Sequence, residues 1–256
     1  MIRRVRVDRY VVLIVVVVFA TACSESLQHP DRDPQTEELV RQYLTDNPGF
    51  LLNNPEFLAG VRAVAQAREE RRQALARRAL LDARASVVID AELTPAIGPA
   101  DASVTIIEFS DYQCVPCKAS YPELAAVAVS DSDLRFVHKQ LPVYGSHSVL
   151  AARAAVAAHR QGGFAAFHHE LMTGTLPLTA ELVYGMAGDL GLDVDVLRAD
   201  MRDPVVIEYL SAVRRLAEQL DIDSTPTFIV GDRLVRGGLN AELLREILVE
   251  QRAALD

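Results

Sequence analysis

The order of predicted elements in this 256-residue chain indicates an α/β or α+β fold with an inserted helical subdomain, preceded by an N-terminal helical extension. Segments rich in β-branched residues at 104–109 and 134–141 enclose a helical segment, and the pattern from 146 to 220 is helical throughout. A hairpin pattern at 227–236 and a last helical segment complete the domain.

The composition excludes several classes of protein. Half of the residues are hydrophobic, which excludes a wholly disordered chain, and 13 Gly with 12 Pro exclude a fibrous one. A net charge of −9 argues against a nucleic-acid partner. Three cysteines are too few for a scaffold held together by disulfides, and their odd number needs an explanation.

Residues 1–22 have the pattern of a secretory signal peptide. Residues 1–10 carry four arginines, and residues 11–20 are wholly apolar and lead into Ala-Thr-Ala before Cys23. A spanning helix needs about 20 apolar residues, so a permanent transmembrane anchor is the weaker interpretation. We therefore expect a protein of the bacterial cell envelope, in the periplasm.

Cys23 follows small residues and resembles the lipidated cysteine of a bacterial lipobox, although Ala20 stands where that motif usually has leucine. Lipidation would attach the chain to a membrane and remove an exposed thiol from an oxidising compartment. The alternatives are a secreted form with a free or intermolecularly paired Cys23, and an uncleaved anchor.

The segment that follows divides into a polar tether at 23–35 and a helical extension at 36–86. Asp33-Pro34 supplies a helix start, Asn47-Pro48-Gly49 interrupts the helix, and a long helix is predicted from Pro55 to about Ala85. Such a helix needs packing partners. It either lies on the following domain or forms an oligomerising stalk. The imperfect heptad pattern does not decide between these two alternatives.

The domain at 87–256 begins with the two predicted strands, with a helix from Cys114 to about Val129 between them. The helical insertion covers about 146–220. Gly231-Asp232 forms the turn of the hairpin, and Asn240 caps the last helix.

Cys114-Val115-Pro116-Cys117 opens the first helix of this domain. At a helix N-terminus the unpaired N–H groups and the helix dipole favour a thiolate, which is the nucleophile of disulfide exchange. One helical turn brings Cys117 next to Cys114. Two alternatives compete: half of a zinc site, although His168-His169 lack the usual ligand spacing, and a purely structural disulfide, which would close too short a loop to stabilise much.

These segments resemble the DsbA-like family of thioredoxin-fold thiol–disulfide oxidoreductases. The resemblance rests on EFSDYQCVPCK (108–118), the helical insertion, STPTFIVGDRLVRGG (224–238) and the last helix. The extension, with DNPGFLLNNPEFL (46–58), more narrowly resembles the copper-sensitivity-suppressor (ScsC-like) branch, in which some members use such an extension to oligomerise and to act as isomerases.

The resemblance implies a role for five residues. Cys114 is the attacking thiol, Cys117 the resolving thiol, and Pro226 a cis proline beside Thr225 that offers backbone to an extended substrate. Glu108 matches the buried acid that helps to move the proton of the resolving thiol. Its alternative is an ordinary solvated carboxylate.

Lys139 and the histidines lead to further expectations. Lys139, on the adjacent strand, is a candidate partner for Glu108. His138, His147 and His159 share no spacing and are expected to be surface or locally bonded residues, whereas His168 and His169 should divide between core and solvent.

The expected function is disulfide formation, reduction or isomerisation in exported proteins, with a membrane redox partner and with no organic cofactor or metal. Val115-Pro116 is not the Pro-His pair of strongly oxidising DsbA enzymes, so a less oxidising dithiol is expected. The alternative is a client-binding or copper(I)-binding lipoprotein that uses the dithiol as its ligand.

Overall fold

The computed structural model describes residues 33–253. The predicted signal peptide at 1–22, Cys23 and most of the tether lie outside the described residues. The chain divides into two units, one ending at Gln66 and the other beginning at Ala67.

The first unit is helical. It contains α1 (Pro34–Asp46), α2 (Phe50–Asn53) and the beginning of α3 (Pro55–Ala83). Asp33 caps α1 by accepting hydrogen bonds from the backbone of Gln35 and Thr36. The helix therefore begins at the predicted start, Asp33-Pro34, which overlaps the end of the predicted tether, and the one-turn α2 was not predicted.

Aromatic side chains connect these helices. Tyr43 packs edge-on against Phe50 at 5.4 Å between ring centroids, and Phe50 packs against Phe57 at 5.8 Å. No residue from 33 to 66 is buried, so this unit has no core of its own.

The second unit begins within α3 and contains a five-stranded sheet with helices around it. Its further elements are α4 (Ala85–Val88), β1 (Ala96–Ile97), β2 (Val104–Ser110), α5 (Val115–Ser130), β3 (Leu134–Gln140), α6 (Ser146–Arg160), α7 (Phe164–Thr173), α8 (Ala180–Asp189), α9 (Val194–Asp200), α10 (Pro204–Gln219), β4 (Thr227–Val230), β5 (Arg233–Arg236) and α11 (Ala241–Ala253).

The strand order is β1-β3-β2-β4-β5. Strands β2 and β3 are parallel and the other pairs are antiparallel. α5 is the crossover between the two parallel strands, as such a connection requires. The predicted strands, hairpin and helical insertion are confirmed, whereas the two-residue β1 was not predicted.

Each face of the sheet has its own core, because alternate residues of a strand point to opposite faces. On one face, Ile107 and Phe109 pack with the apolar side of α10 and with Leu80 and Leu81 near the end of α3. On the other face, Ile106 belongs to the core that α5 and α11 cover.

The helical insertion has a third core, which includes the interior of α7 and the dithiol cysteines. Asn240 caps α11 through its side-chain oxygen, which accepts from the Leu243 backbone at 2.9 Å. Within the described residues, none of the helices combines the length and the apolar character needed to cross a bilayer.

Candidate active site

Cys114 and Cys117 lie at the N-terminus of α5. Cys114 is the N-cap residue, and its Sγ accepts a hydrogen bond from the Cys117 backbone N–H at 3.3 Å. Both cysteines are free thiols and 1% exposed. The placement of the first thiol at a helix N-terminus therefore agrees with the prediction from the sequence.

The surroundings move the pKa values of the two thiols in opposite directions. Hydrogen bonding from the Cys117 thiol, helped by Thr225 and the Cys117 backbone N–H, lowers the pKa of Cys114 to about 6 against the opposing effect of burial. Burial, followed by the hydrogen bond to Cys114, raises the pKa of Cys117 far above its ordinary value. At neutral pH, Cys114 is thus a thiolate and Cys117 a protonated thiol.

The Thr225–Pro226 segment faces this pair from the end of the sheet. The peptide bond is cis, as expected from the resemblance, and the Thr225 carbonyl lies 3.3 Å from Cys114 Sγ, from which it accepts a hydrogen bond when the thiol is protonated. The Pro226 carbonyl accepts from the Gly237 backbone N–H at 2.9 Å. The segment is therefore fixed beside the attacking sulfur.

Asp111 organises the loops around the dithiol, and sequence reasoning missed it. Its carboxylate accepts from the backbone of Gln113 at 2.8 Å, of Val143 at 2.7 Å and of Tyr144 at 3.2 Å. Its own carbonyl accepts from the Cys114 backbone at 3.0 Å. An aspartate side chain often accepts a hydrogen bond from the backbone N–H two residues later, in an Asx turn. The aspartate shortly before Cys114 is a signal of this kind, and it could have identified Asp111.

Exposed apolar side chains surround the buried sulfurs. Val115 is 66% exposed, Val143 39% and Tyr144 55%. The charge of the Cys114 thiolate acts on the Tyr144 hydroxyl and, together with burial as the larger cause, raises its pKa. These side chains offer an apolar surface next to the reactive thiol.

Glu108 is buried, which excludes the alternative of a solvated strand carboxylate. It is 5% exposed, and its partner is His138, whose Nδ1 lies 3.0 Å from Glu108 Oε2. His138 is itself buried and not at the surface. The two residues are paired in the parallel register of β2 and β3.

The suggestion that Lys139 pairs with Glu108 was wrong. In the same register Lys139 lies opposite Phe109, on the other face of the sheet. Its ammonium group donates instead to the Val87 carbonyl, to Thr94 Oγ1 at 2.9 Å and to Tyr209 OH at 3.1 Å.

The remaining histidines are placed largely as predicted. His168 is fully buried and His169 exposed, and His147 is exposed. His159 is bonded to the Ala91 carbonyl at 3.0 Å. Between residues 33 and 253, no group of three or more His, Cys, Asp and Glu side chains is arranged to hold a metal ion.

Comparison with known proteins gives the family. Residues 90–250 match a family model described as thioredoxin. The chain is 35% identical over 167 residues to a Na(+)/H(+) antiporter NhaA of Herminiimonas arsenicoxydans, a match that covers 64% of this chain and 26% of that protein. The chain thus spans about a quarter of the length of the antiporters it matches.

Solved structures share the architecture. A thioredoxin-like oxidoreductase from Silicibacter pomeroyi DSS-3 has 32% identity and a TM-score of 0.62, with 66% of this chain and 97% of that one covered. The catalytic domain of Proteus mirabilis ScsC has 24% identity and a TM-score of 0.62, with 69% and 98% covered, and so shares the fold. The chain belongs to the thioredoxin family and has the thioredoxin fold.

Proposed function

We propose that this protein is a thiol–disulfide oxidoreductase that exchanges disulfides with exported proteins through Cys114 and Cys117. The observation that carries the proposal is the environment of Cys114: a thiol at a helix N-terminus, with a pKa of about 6, facing the Thr225 carbonyl. A thiolate held in this way is the nucleophile that exchange requires. The oxidoreductase name of the 32% identical Silicibacter protein agrees with it.

In the reducing direction, the Cys114 thiolate attacks one sulfur of a client disulfide. That disulfide breaks, a Cys114–client bond forms, and the second client sulfur leaves as a thiolate and takes up a proton. Cys117 then attacks Cys114, closes the enzyme disulfide and releases the first client sulfur. Two electrons pass from the enzyme dithiol to the client, and the oxidised pair runs the same steps in reverse.

The proton of Cys117 has to leave before this second step, because the thiol is protonated at neutral pH. We assign its removal to Glu108, the buried carboxylate whose charge acts on the Cys117 sulfur. Thr225 and Pro226 bind the client as an extended strand through backbone groups, and the exposed Val115 and Tyr144 contact its side chains.

The wider setting follows from the sequence. The signal pattern and Cys23 support a location in the bacterial envelope and a lipid anchor on Cys23. A membrane dithiol–disulfide partner resets the pair after each cycle and so decides whether the enzyme oxidises, reduces or isomerises. The extension at 36–86 joins copies of the chain.

A trapping experiment tests the exchange. With Cys117→Ser, the mixed disulfide between Cys114 and a client cannot be resolved, so covalent adducts should accumulate with a disulfide-containing model peptide and with envelope proteins. The matched variant Cys114→Ser should form none. If Cys117→Ser forms no adduct and loses only the binding of added copper(I), the dithiol is a metal ligand and the proposal is wrong.

A further inference from the structure

Two buried histidines lie behind the dithiol, on the side of the sheet that packs against α5. His138 is 4% exposed and His168 is fully buried. Their ring centroids are 4.4 Å apart. Buried polar atoms are nearly always hydrogen-bonded. The partners of the four ring nitrogens therefore indicate what the two histidines do.

Each ring has one bonded and one unpartnered nitrogen. Nδ1 of His138 lies 3.0 Å from Glu108 Oε2, and Nδ1 of His168 lies 2.9 Å from Tyr112 OH. The Nε2 atom of each ring is buried and has no hydrogen-bond partner within the described chain. Both Nε2 atoms are therefore available to another donor or acceptor.

Both rings line one cavity. The cavity has a volume of about 160 Å³ and is lined by Glu108, His138, His168 and apolar residues of α5. One of these is Val129, which is 89% exposed, so the cavity reaches the protein surface. Most of the lining is apolar, and Glu108, His138 and His168 form a polar part that offers hydrogen-bond partners to water. The volume has room for more than one water molecule, each of which needs only roughly 10–15 Å³ of such space.

The cavity is lined from one helical turn beyond the resolving thiol, by Tyr121 of the same helix. Cys117, Tyr121 and Leu124 follow one another at the spacing that places residues on one face of a helix, and the latter two line the cavity. Cys117 packs in the same core as Tyr121. The charge of Glu108 reaches the Cys117 thiol. Glu108 thus acts electrostatically on the buried sulfur and also lines the cavity.

We propose that His138 relays the proton of Cys117 from Glu108 to water in this cavity, with His168 holding that water. The inference rests on the proposed function and adds to it two residues and an exit route. It accounts for the burial of an imidazole beside the carboxylate and for the unpartnered nitrogens.

The relay moves a proton only. Cys117 S–H gives its proton to the Glu108 carboxylate. The proton then passes within the Glu108–His138 pair to His138, which gives it to water in the cavity. The electron pair of the Cys117 sulfur forms the bond to Cys114, and the pair of the broken bond leaves on the client sulfur. When the disulfide is reduced, the proton returns by the same route.

The charges around His138 are consistent with this division of roles. The titratable neighbours of the two rings are Glu108 on β2, Tyr112 in the following loop, Lys118 and Tyr121 on α5, and His169 on α7. Burial, then repulsion from His138, His169 and Lys118, lowers the pKa of His168 well below its usual value. His168 therefore stays neutral, while Nδ1 of His138 contacts the Glu108 carboxylate.

Rapid mixing of the reduced full-length protein with an excess of a chromogenic aromatic disulfide separates the two sulfur reactions. The first chromophore is released when Cys114 attacks, and the second when Cys117 closes the enzyme disulfide. We expect His138→Asn, which keeps a donor toward Glu108 but cannot take up a proton, to slow the second phase by roughly tenfold or more and to change its pH profile. The first phase should not change.

A pair of cavity variants provides the matched control. Ala125→Leu fills the cavity and should also slow the second phase, whereas Ala126→Leu, on the exposed side of the same helix, should not. His138→Gln gives a second test should His138→Asn not fold.

The outcomes separate the two proposals. A second phase that is unchanged in His138→Asn and Ala125→Leu, or a first phase slowed equally, overturns the relay and leaves the exchange function intact. A wild-type protein that shows no second phase overturns the exchange function itself.

Discussion

At the scale of residues, the opposite pKa shifts of the two thiols share one cause, the hydrogen bond between them, to which burial adds the larger part of the Cys117 shift. Cys114 is at the N-terminus of α5, where its sulfur accepts hydrogen bonds. Cys117 lies three residues later, buried inside the first turn of the same helix. The same hydrogen bond that lowers the pKa of Cys114 raises that of Cys117. The pair is therefore asymmetric before any client binds.

The pH dependence of Cys114 alkylation tests this asymmetry. Because only the thiolate reacts, the rate with a neutral alkylating agent should fall about tenfold per pH unit below a pH of about 6 and be constant above it. Cys117→Ser keeps a donor and should preserve the profile, whereas Cys117→Ala should move it to higher pH. A midpoint near the ordinary thiol value of 9.0 would contradict the account.

Single residues also show what the sequence could predict. The CxxC motif and Thr225-Pro226 lie within recognisable local patterns, and the structure brings them together. The contact between Glu108 and His138 joins two strands, and that between His138 and His168 joins a strand to a distant helix. Only the register of β2 against β3 decides which of His138 and Lys139 meets Glu108, and no local pattern reports that register.

At the scale of elements, a buried lysine connects β3 to its neighbours. Lys139 is fully buried and joins the carbonyl of α4 residue Val87 to Thr94 and to Tyr209 of α10. Burial lowers its pKa from 10.5 to about 7. Each of these partners is uncharged, so the hydrogen bonds do not fully offset the free-energy cost of burying an ammonium group.

The sign of the resulting pH dependence follows from linkage. Between about pH 7 and 10, the unfolded chain binds a proton at Lys139 that the folded chain has released, so stability increases with pH. We expect the unfolding free energy of the wild type to increase relative to that of Lys139→Met by roughly 1 kcal/mol per pH unit in this range. Below pH 6 the difference should be constant.

Chemical denaturation at a series of pH values measures this difference. A wild-type protein and a variant whose unfolding free energies change in parallel from pH 7 to 10 would show that Lys139 keeps its ordinary pKa. The Thr94 and Tyr209 contacts would then need another explanation.

The elements themselves were predicted well where their sequence pattern is long. Strand β2 has an alternating pattern rich in β-branched residues, and the hairpin has a turn signal at Gly231-Asp232. Strand β1 has only Ala96 and Ile97 and exists because β3 offers an edge for it to pair with. Helix α2 is a single turn, too short for a periodic pattern.

At the scale of the whole molecule, the first unit differs from the second in having no buried residue. From 33 to 66 its apolar side chains are largely exposed, with Leu39 67%, Val61 49% and Val64 54% exposed. Exposed apolar surface of this kind is typical of an interaction site. It supports the proposal that the extension joins copies of the chain.

Light scattering of matched variants tests this proposal. Val61→Glu with Val64→Glu should convert an oligomer into a monomer, because charges on the joined surface are not tolerated. Arg62→Glu with Arg68→Glu, at polar positions of the same helix, should remain oligomeric. A wild-type chain that is a monomer at every concentration would show that the exposed residues have another role.

The reduction potential of the Cys114–Cys117 pair tests the central claim most directly. Equilibration of the protein with glutathione buffers, followed by quantification of the two thiols, should give one reversible two-electron transition. Because the pKa of Cys114, about 6, is well above the roughly 3.5 of the strongly oxidising enzyme DsbA, the midpoint should be more negative than about −120 mV. The absence of a reversible transition, or a midpoint at that value, would contradict the account.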